Sequence, residues 1–482
     1  MSVKNIVIWR GVGGRGSVHT EAILALALKH RGHKPQFVMC DNMMSACIQG
    51  GGVGVNRPKC GGCYSSGASI LGGYGLSHIN FSSLVPKKRR EKFRKIVTSL
   101  SYSGLENYIF HNVPVGKFAR NSLDRHLRGA PTRSRGRKPL REFLFSSLVC
   151  LDAARVYYHQ YRPDFAIFQR HFEYVGWGPA YHYFSKNKGM RITTWGGSLD
   201  FSKQITMLNC GSDYPSLYRI SDESWKELSN TGLTKAEGSS VDEYLKPGGI
   251  SRNALLQQVG VSDDKPIWCV FPHVHWEGGL NLNSPQWPFD SIDDWLFTTI
   301  QAMLNTPGIT WLLKAHPFER RGTERGVIQI IKDKFPNLEE RVIMIPPNAK
   351  IRANDLSLIL SGGITLQGSV SIELSALGVP MIVGNSKYPG KEFTYSEETR
   401  EGYINLIHNA VNIEPLSPKQ RDLARMFLGY IRVRRKLPFK AAKGNKGYSP
   451  IIPSKKHLLL PGKDAVMDMI CHRIIHGGEF IL

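Results

Sequence analysis

Lys314, His316, Ser369 and Glu373 are the residues of this chain whose types and order could do chemistry on a phosphate. The first two stand where a strand-like apolar run, Ile309-Thr310-Trp311-Leu312-Leu313, gives way to Lys314-Ala315-His316-Pro317. Further on, Gln367-Gly368-Ser369 opens a segment in which Val370, Leu374 and Leu377 recur at helical spacing. A helix starting near Gly368 or Ser369 offers unpaired N–H groups and the positive end of its dipole to an anion. Ser369 adds a hydroxyl, and Glu373 lies on the same helix face. His316 brings a second donor from another strand, and Lys314 adds charge. Taken singly, a histidine ending a strand or a Gly-Ser pair opening a helix is ordinary structure. Together, in this order, they point to the phosphate of a nucleotide-activated sugar.

The elements that must position these groups have the rhythm strand, polar loop, helix, Gly-Pro, strand. Leu356-Ser357-Leu358-Ile359-Leu360 reads as a strand followed by the small-residue turn Ser361-Gly362-Gly363, and Gly378-Val379-Pro380-Met381-Ile382-Val383 resumes the strand pattern. That rhythm predicts a parallel α/β sheet, in which ligands sit beyond the carboxyl ends of the strands.

Three motifs in this half carry a resemblance: Lys314-Ala315-His316-Pro317, Gly368-Ser369-Val370-Ser371-Ile372-Glu373 with Ala376-Leu377-Gly378-Val379-Pro380, and Tyr388-Pro389-Gly390-Lys391-Glu392-Phe393-Thr394. The stretch of roughly residues 265–410 resembles the donor half of capsule-polysaccharide biosynthesis glycosyltransferases, GT-B enzymes related to bacterial β-Kdo and sialyl transferases. The resemblance implies two Rossmann-like domains facing a central cleft. It implies a nucleotide-sugar donor, a CMP-linked acidic sugar among the candidates, held by Lys314, His316, Gly368, Ser369 and Glu373, with Glu373 on the ribose. It implies a glycan or lipid-linked acceptor, no cofactor for catalysis, and a C-terminal helix that returns to the first domain. Ser361-Gly362-Gly363 is also similar to sugar-nucleotide 2-epimerases of the same architecture, which keeps that activity as an alternative.

The first half reads as a βαβ unit: strand Ile6-Val7-Ile8-Trp9, a glycine-rich loop from Arg10 to Ser17, a helix from Glu21 to Lys29, and strand Gln36-Phe37-Val38-Met39-Cys40. Gly11-Val12-Gly13-Gly14-Arg15-Gly16 is a literal GxGxxG, and Asp41 follows Gly16 by 25 positions, which fits a dinucleotide fingerprint. Val18-His19-Thr20 stands where the close-packed helix start belongs, which counts against NAD. On the GT-B reading His19 faces the cleft as the catalytic base, with Glu21 and His275 in reserve; it is equally a plain helix-start histidine. Cys40, Cys47, Cys60 and Cys63 lie within 24 positions, and Cys60-Gly61-Gly62-Cys63 has the spacing that grips a tetrahedral ion, so a structural zinc is expected there. Scattered buried thiols are the plain alternative. Strand ends at Gln169-Arg170-His171 and Gly196-Gly197-Ser198 suggest an acceptor-side rim. The loop Pro272-His273-Val274-His275-Trp276-Glu277-Gly278-Gly279 is dense in titratable groups; two histidines alone make a poor metal site.

The resulting layout is residues 1–262 as an acceptor-side domain with a basic, partly mobile insertion near 82–142, residues 263–425 as the donor domain, and 426–482 as a basic segment and helix. The insertion is helix-prone but broken by Pro114 and by the Gly/Pro-containing stretch Gly129 to Pro139. Lys and Arg number 63 against 39 Asp and Glu, a formal charge of +24, clustered at Lys87-Lys88-Arg89-Arg90, from Arg120 to Arg141, and from Arg432 onward. Such a surface suits acidic glycans or an anionic membrane face. No zinc-finger, RRM or helix-turn-helix signature accompanies it, so nucleic acid is not expected. A non-catalytic polyanion-binding protein is the rival from another class. No apolar run reaches the ~18 residues of a membrane span, and the N-terminal apolar stretch is short for a signal peptide, so a cytoplasmic protein, peripheral at the inner membrane face, is expected.

Overall fold

The computed structural model describes residues 2–11, 15–48, 52–53, 58–129, 132–170, 172–187, 189–197, 204–210, 220–277, 288–322, 325–384, 392–442 and 452–482. Of the residues singled out above, Val12, Gly13, Gly14, His171, Ser198, Gly278, Gly279 and Tyr388-Pro389-Gly390-Lys391 lie outside that set. Two compact units divide the chain: residues 1–126, 131–215 and 435–482 form the first, and 127–130 with 216–434 the second. Both are Rossmann-like, as expected for the α/β class.

The first unit is built on β1 (Asn5–Arg10), β2 (Lys34–Met39), a short antiparallel pair β3 (Ala46–Cys47) and β4 (Gly52–Val53), then β5 (His78–Asn80), β6 (Phe165–Gln169), β7 (Arg191–Gly197) and β8 (Gln204–Cys210). Its sheet runs β8-β7-β6-β1-β2-β5, with Leu437–Pro438 pairing antiparallel outside β8. From β7 to β5 every pairing is parallel, whereas β8 is antiparallel to β7. Five of the six β1 residues are buried, as in a parallel strand covered on both faces. The helix Arg15–His30 starts six residues before the expected Glu21. Its opening turns carry polar Ser17, His19 and Thr20, which apolar periodicity cannot recognise. Gly11 is fixed by packing, since a Cβ there would lie 1.4 Å from the Gly176 carbonyl oxygen.

The described part of residues 82–142 is largely helical. Helices Lys87–Ser99, Tyr102–Glu106 and Val115–Leu127 bury Phe93, Val97, Leu105 and Phe118, and the segment read as a Gly/Pro break becomes the start of one helix, Arg133–Tyr161. Pro139 sits inside that helix, where it forgoes one backbone bond. The buried stripe Leu140, Phe143, Leu144, Leu148 and Leu151 outweighs that loss. At the other end of the chain, Asp464 caps the helix Ala465–His476 by accepting from Val466 N–H at 3.1 Å. This helix buries Met467, Ile470 and Ile474 in the core that also holds Ala22, Ile23 and Leu28, which is the C-terminal return expected.

In the second unit five parallel strands follow: β9 (Ile267–Phe271), β10 (Thr310–Lys314), β11 (Val342–Ile345), β12 (Gly362–Thr365) and β13 (Met381–Val383). Their order, β11-β10-β9-β12-β13, reverses direction between β9 and β12, which is the switch point where such sheets open a crevice. One face is covered by the core of Trp295, Leu296, Ile300, Tyr403 and Ile407, the other by Leu255, Leu356, Ile359 and Leu374. The fourth strand corrects the sequence reading. Leu356 ends the short helix Ala353–Leu356, and the supposed glycine turn is the strand itself. A Cβ on Gly362 would lie 2.3 Å from the Trp268 ring, and one on Gly363 would lie 2.7 Å from the Met381 sulfur. The glycines are there so that large neighbours can close over them. Helices Asp222–Thr231, Lys235–Leu245 and Arg252–Val259 also belong to this unit. Val241 and Leu245 pack with Ile372, Ala376 and Phe427, and Arg434 pairs with Glu237 at 2.8 Å.

Candidate active site at the switch point

A cavity of about 880 Å³ opens beyond the carboxyl ends of β9, β10 and β12, lined among others by His273, Lys314, His316, Gly368, Ser369 and Glu373. All five residues expected to bind the donor are therefore gathered in one crevice of one unit.

Each is placed by its local backbone. β10 ends at Lys314, whose side chain is carried to the cavity wall while remaining 4% exposed. Among the described residues the Lys314 ammonium has no carboxylate within ion-pair distance and no hydrogen-bond partner. Burial lowers its pKa, an effect offset in part by Cys269 and Asp355. Asp355 is otherwise engaged, accepting from Gly248 N–H at 2.6 Å and Arg352 N–H at 2.8 Å. A buried cation without a counterion is costly by itself and is relieved by an anion.

His316 takes its orientation from Pro317, which opens the 3₁₀ turn Pro317–Arg321. As the cap of that turn, His316 Nδ1 accepts the Phe318 N–H at 3.1 Å. This bond assigns the proton of the neutral ring to Nε2. Burial first, then the His273 and Lys314 charges, lower its pKa; Glu277 opposes them. His316 is thus a neutral ring with one N–H to donate.

The β12 loop supplies the rest. Thr365 Oγ1 donates to the Phe271 carbonyl at 2.9 Å and ties the two switch-point strands together. Gly368 is closely packed, since a Cβ would stand 3.2 Å from Thr365 Oγ1 and 3.5 Å from His273. The helix begins at Val370, and Ser369, its cap residue, makes no side-chain cap bond. Glu373 Oε1 accepts the Tyr244 hydroxyl at 2.7 Å and pairs with Arg432 at 3.3 Å. Arg432 lies 4.2 Å above the Tyr244 ring, so the carboxylate is clamped from one side.

Sequence reading gave no role to His273, Tyr244 or Arg432. His273 Nε2 accepts the Gln367 N–H at 3.3 Å, and its Nδ1 lies 3.1 Å from Glu277. The signal for it was present in the titratable loop after β9. Tyr244 and Arg432 reach Glu373 from far along the chain, and no local pattern marks them.

The expected bases lie elsewhere. His19 belongs to the first unit, where Nδ1 meets the Tyr74 hydroxyl at 2.9 Å and burial lowers its pKa. Glu21 is not a free base: it is 1% exposed, paired with equally buried Arg10, and accepts Trp195 Nε1–H at 3.3 Å. His275 Nε2 lies 3.3 Å from Asp293, and the residue does not line the cavity. The four cysteines do not assemble as a zinc site. Cys60 and Cys63 are wound into the helix Pro58–Gly73 instead of closing a loop around an ion, and burial pushes the Cys40 thiol up to about 12. Among the described residues no three His, Cys, Asp or Glu side chains converge on a metal position. No helix among them is long and apolar enough to cross a membrane.

No family model matches the sequence, and no curated protein matches it. Solved structures offer distant likenesses. The chain is similar to the KpsC β-Kdo 2,7-transferase of Thermosulfurimonas dismutans, at 12% identity and TM-score 0.34, covering 57% of this chain and 80% of that one. The β-Kdo 2,4-transferase of the same KpsC gives 13% identity and TM-score 0.33, with 54% and 78% covered. A UDP-GlcNAc 2-epimerase from Methanocaldococcus jannaschii, in complex with UDP-GlcNAc and UDP, gives 10% identity and TM-score 0.28, with 88% and 97% covered. By its own strand order, the chain is a protein of two Rossmann-like α/β units whose second unit opens a crevice at its switch point, lined by Lys314, His316 and Ser369 among others.

Proposed function

We propose that the chain is a GT-B glycosyltransferase of surface-polysaccharide assembly. It takes a sugar from a nucleotide donor, with CMP-linked acidic sugars among the candidates, and passes it to a glycan or lipid-linked acceptor. The observation that carries this reading is the buried Lys314, without a counterion among the described residues, beside the neutral His316 in the switch-point cavity. A donor phosphate supplies the missing negative charge. As the sugar–phosphate bond breaks, charge grows on the phosphate oxygens, and preformed donors at Lys314, His316 Nε2 and the Ser369 hydroxyl stabilise it without reorganising. Glu373, clamped by Tyr244 and Arg432, presents a carboxylate to the ribose hydroxyls. His19 of the first unit is the proposed acceptor base.

The test is a nucleotide screen by thermal shift and calorimetry with CMP, UDP, GDP and NAD. A pyrimidine or guanine nucleotide should raise the melting temperature, and His316→Ala and Ser369→Ala should each weaken that ligand about tenfold to a hundredfold, the range for one bond to a charged group. Stabilisation by NAD alone, insensitive to His316, would refute the reading. If His19→Ala leaves transfer unchanged, the base assignment is wrong and the donor site stands.

A further inference from the structure

The positive charge of the chain is not absorbed by the switch-point cavity. Helix Lys87–Ser99 carries seven Lys or Arg against one acid, Glu91. Two of those cations are structural, Arg89 paired with Asp152 at 2.9 Å and Arg94 with Glu142 at 2.8 Å, both partners on the helix Arg133–Tyr161. These pairs and the buried Phe93 and Val97 turn one face inward, leaving Lys88, Lys92 and Lys95 on the exposed face. Among the described residues these three have no ion-pair partner.

The neighbouring helix extends the same surface. Arg141 donates to the Thr98 carbonyl at 3.3 Å, so the exposed Arg133, Arg137 and Lys138 lie beyond the end of the first helix. The Phe110–Val113 hairpin packs Phe110 edge-on against Phe93 at 5.7 Å and leaves Ile109 63% exposed. Ile109 thus stands exposed on a hairpin that packs on the same helix as the three lysines.

We propose that this face of the first unit docks on an anionic phospholipid bilayer, with the lysines and arginines at the headgroups and Ile109 entering the interface. Clustered cations are drawn to anionic leaflets and lose that attraction within a Debye length as salt rises. An apolar anchor adds what a soluble polyanion could not use. Single-stranded nucleic acid would instead call for exposed aromatic platforms, and no large exposed aromatic is found on the helix Lys87–Ser99 or the Phe110–Val113 hairpin.

Co-sedimentation of the full chain with phosphatidylcholine vesicles, with and without phosphatidylglycerol, tests this. Binding should require phosphatidylglycerol and fall with salt. Lys88→Gln/Lys92→Gln/Lys95→Gln should weaken it roughly a hundredfold, about fivefold for each cation removed, with an unchanged melting temperature because the lysines are exposed. Ile109→Ser should weaken vesicle binding and leave capture of duplex DNA unaltered. No binding to phosphatidylglycerol vesicles at low salt overturns the proposal, as does vesicle binding indifferent to the triple substitution. An Ile109→Ser protein that binds vesicles as well as wild type, while the triple variant loses DNA, would make the surface a polyanion site instead.

Discussion

Replacing Lys314 by Met should make nucleotide binding worse and the unliganded protein no less stable. Met keeps the length and apolar stem of the side chain while removing the ammonium. In the free protein Lys314 as a residue is 4% exposed and burial already lowers its pKa, so its charge is a cost to the fold. Replacing buried ions by well-packed apolar groups is often neutral or stabilising by about 1–4 kcal/mol, and a lysine without a counterion belongs at the favourable end. In the complex the same ammonium donates to a charged oxygen, a contact worth about 1.5–3 kcal/mol, or roughly tenfold to over a hundredfold in Kd. The two effects have opposite signs, which no purely structural role for Lys314 reproduces. Calorimetry with the nucleotide that stabilises wild type, and a melting curve of each free protein, measure both. A lower melting temperature with undiminished affinity would refute the reasoning.

His316 predicts a pH dependence. Its folded pKa lies below the ordinary value of 6.5, so between those two values the unfolded chain binds more protons and stability rises with pH. His316→Gln should flatten that segment of the stability curve; an unaltered slope would assign it to other histidines. Arg432→Ala should release Glu373 from one side and weaken nucleoside monophosphates more than inorganic phosphate, read by competition calorimetry. Equal loss for both ligands would mean that Arg432 acts on the phosphate instead. Gly362→Ala places a methyl 2.3 Å from the Trp268 ring and should cost about 1–3 kcal/mol or more by overpacking. Urea denaturation checks it, and a loss below about 0.5 kcal/mol would show that β12 can shift.

The gathering of Lys314, His316, Gly368, Ser369 and Glu373 in one crevice was legible in sequence because these residues fall at element ends. An apolar run that stops at Lys314 and a helix stripe that starts after Ser369 both announce a strand-to-loop transition. What stayed hidden depends on contacts between distant segments. Gly362 and Gly363 read as a turn because their partners, Trp268 and Met381, are invisible to local pattern. Pro139 read as a helix break because the buried stripe that overrides it lies on the following turns. The cysteine spacing suited an ion, yet Cys60 and Cys63 lie on a helix, a choice that spacing alone does not reveal. Glu21 passed for a spare base because its burial with Arg10 and Trp195 is a tertiary fact.

The most direct measurement is a crystal structure of the protein soaked with the nucleotide that raises its melting temperature most. The account predicts a phosphate in the switch-point cavity of the second unit, with oxygens within hydrogen-bonding distance of Lys314 Nζ and His316 Nε2 and the ribose toward Glu373. A phosphate bound instead at the glycine-rich loop after β1, with the Lys314 cavity holding only water, would contradict it.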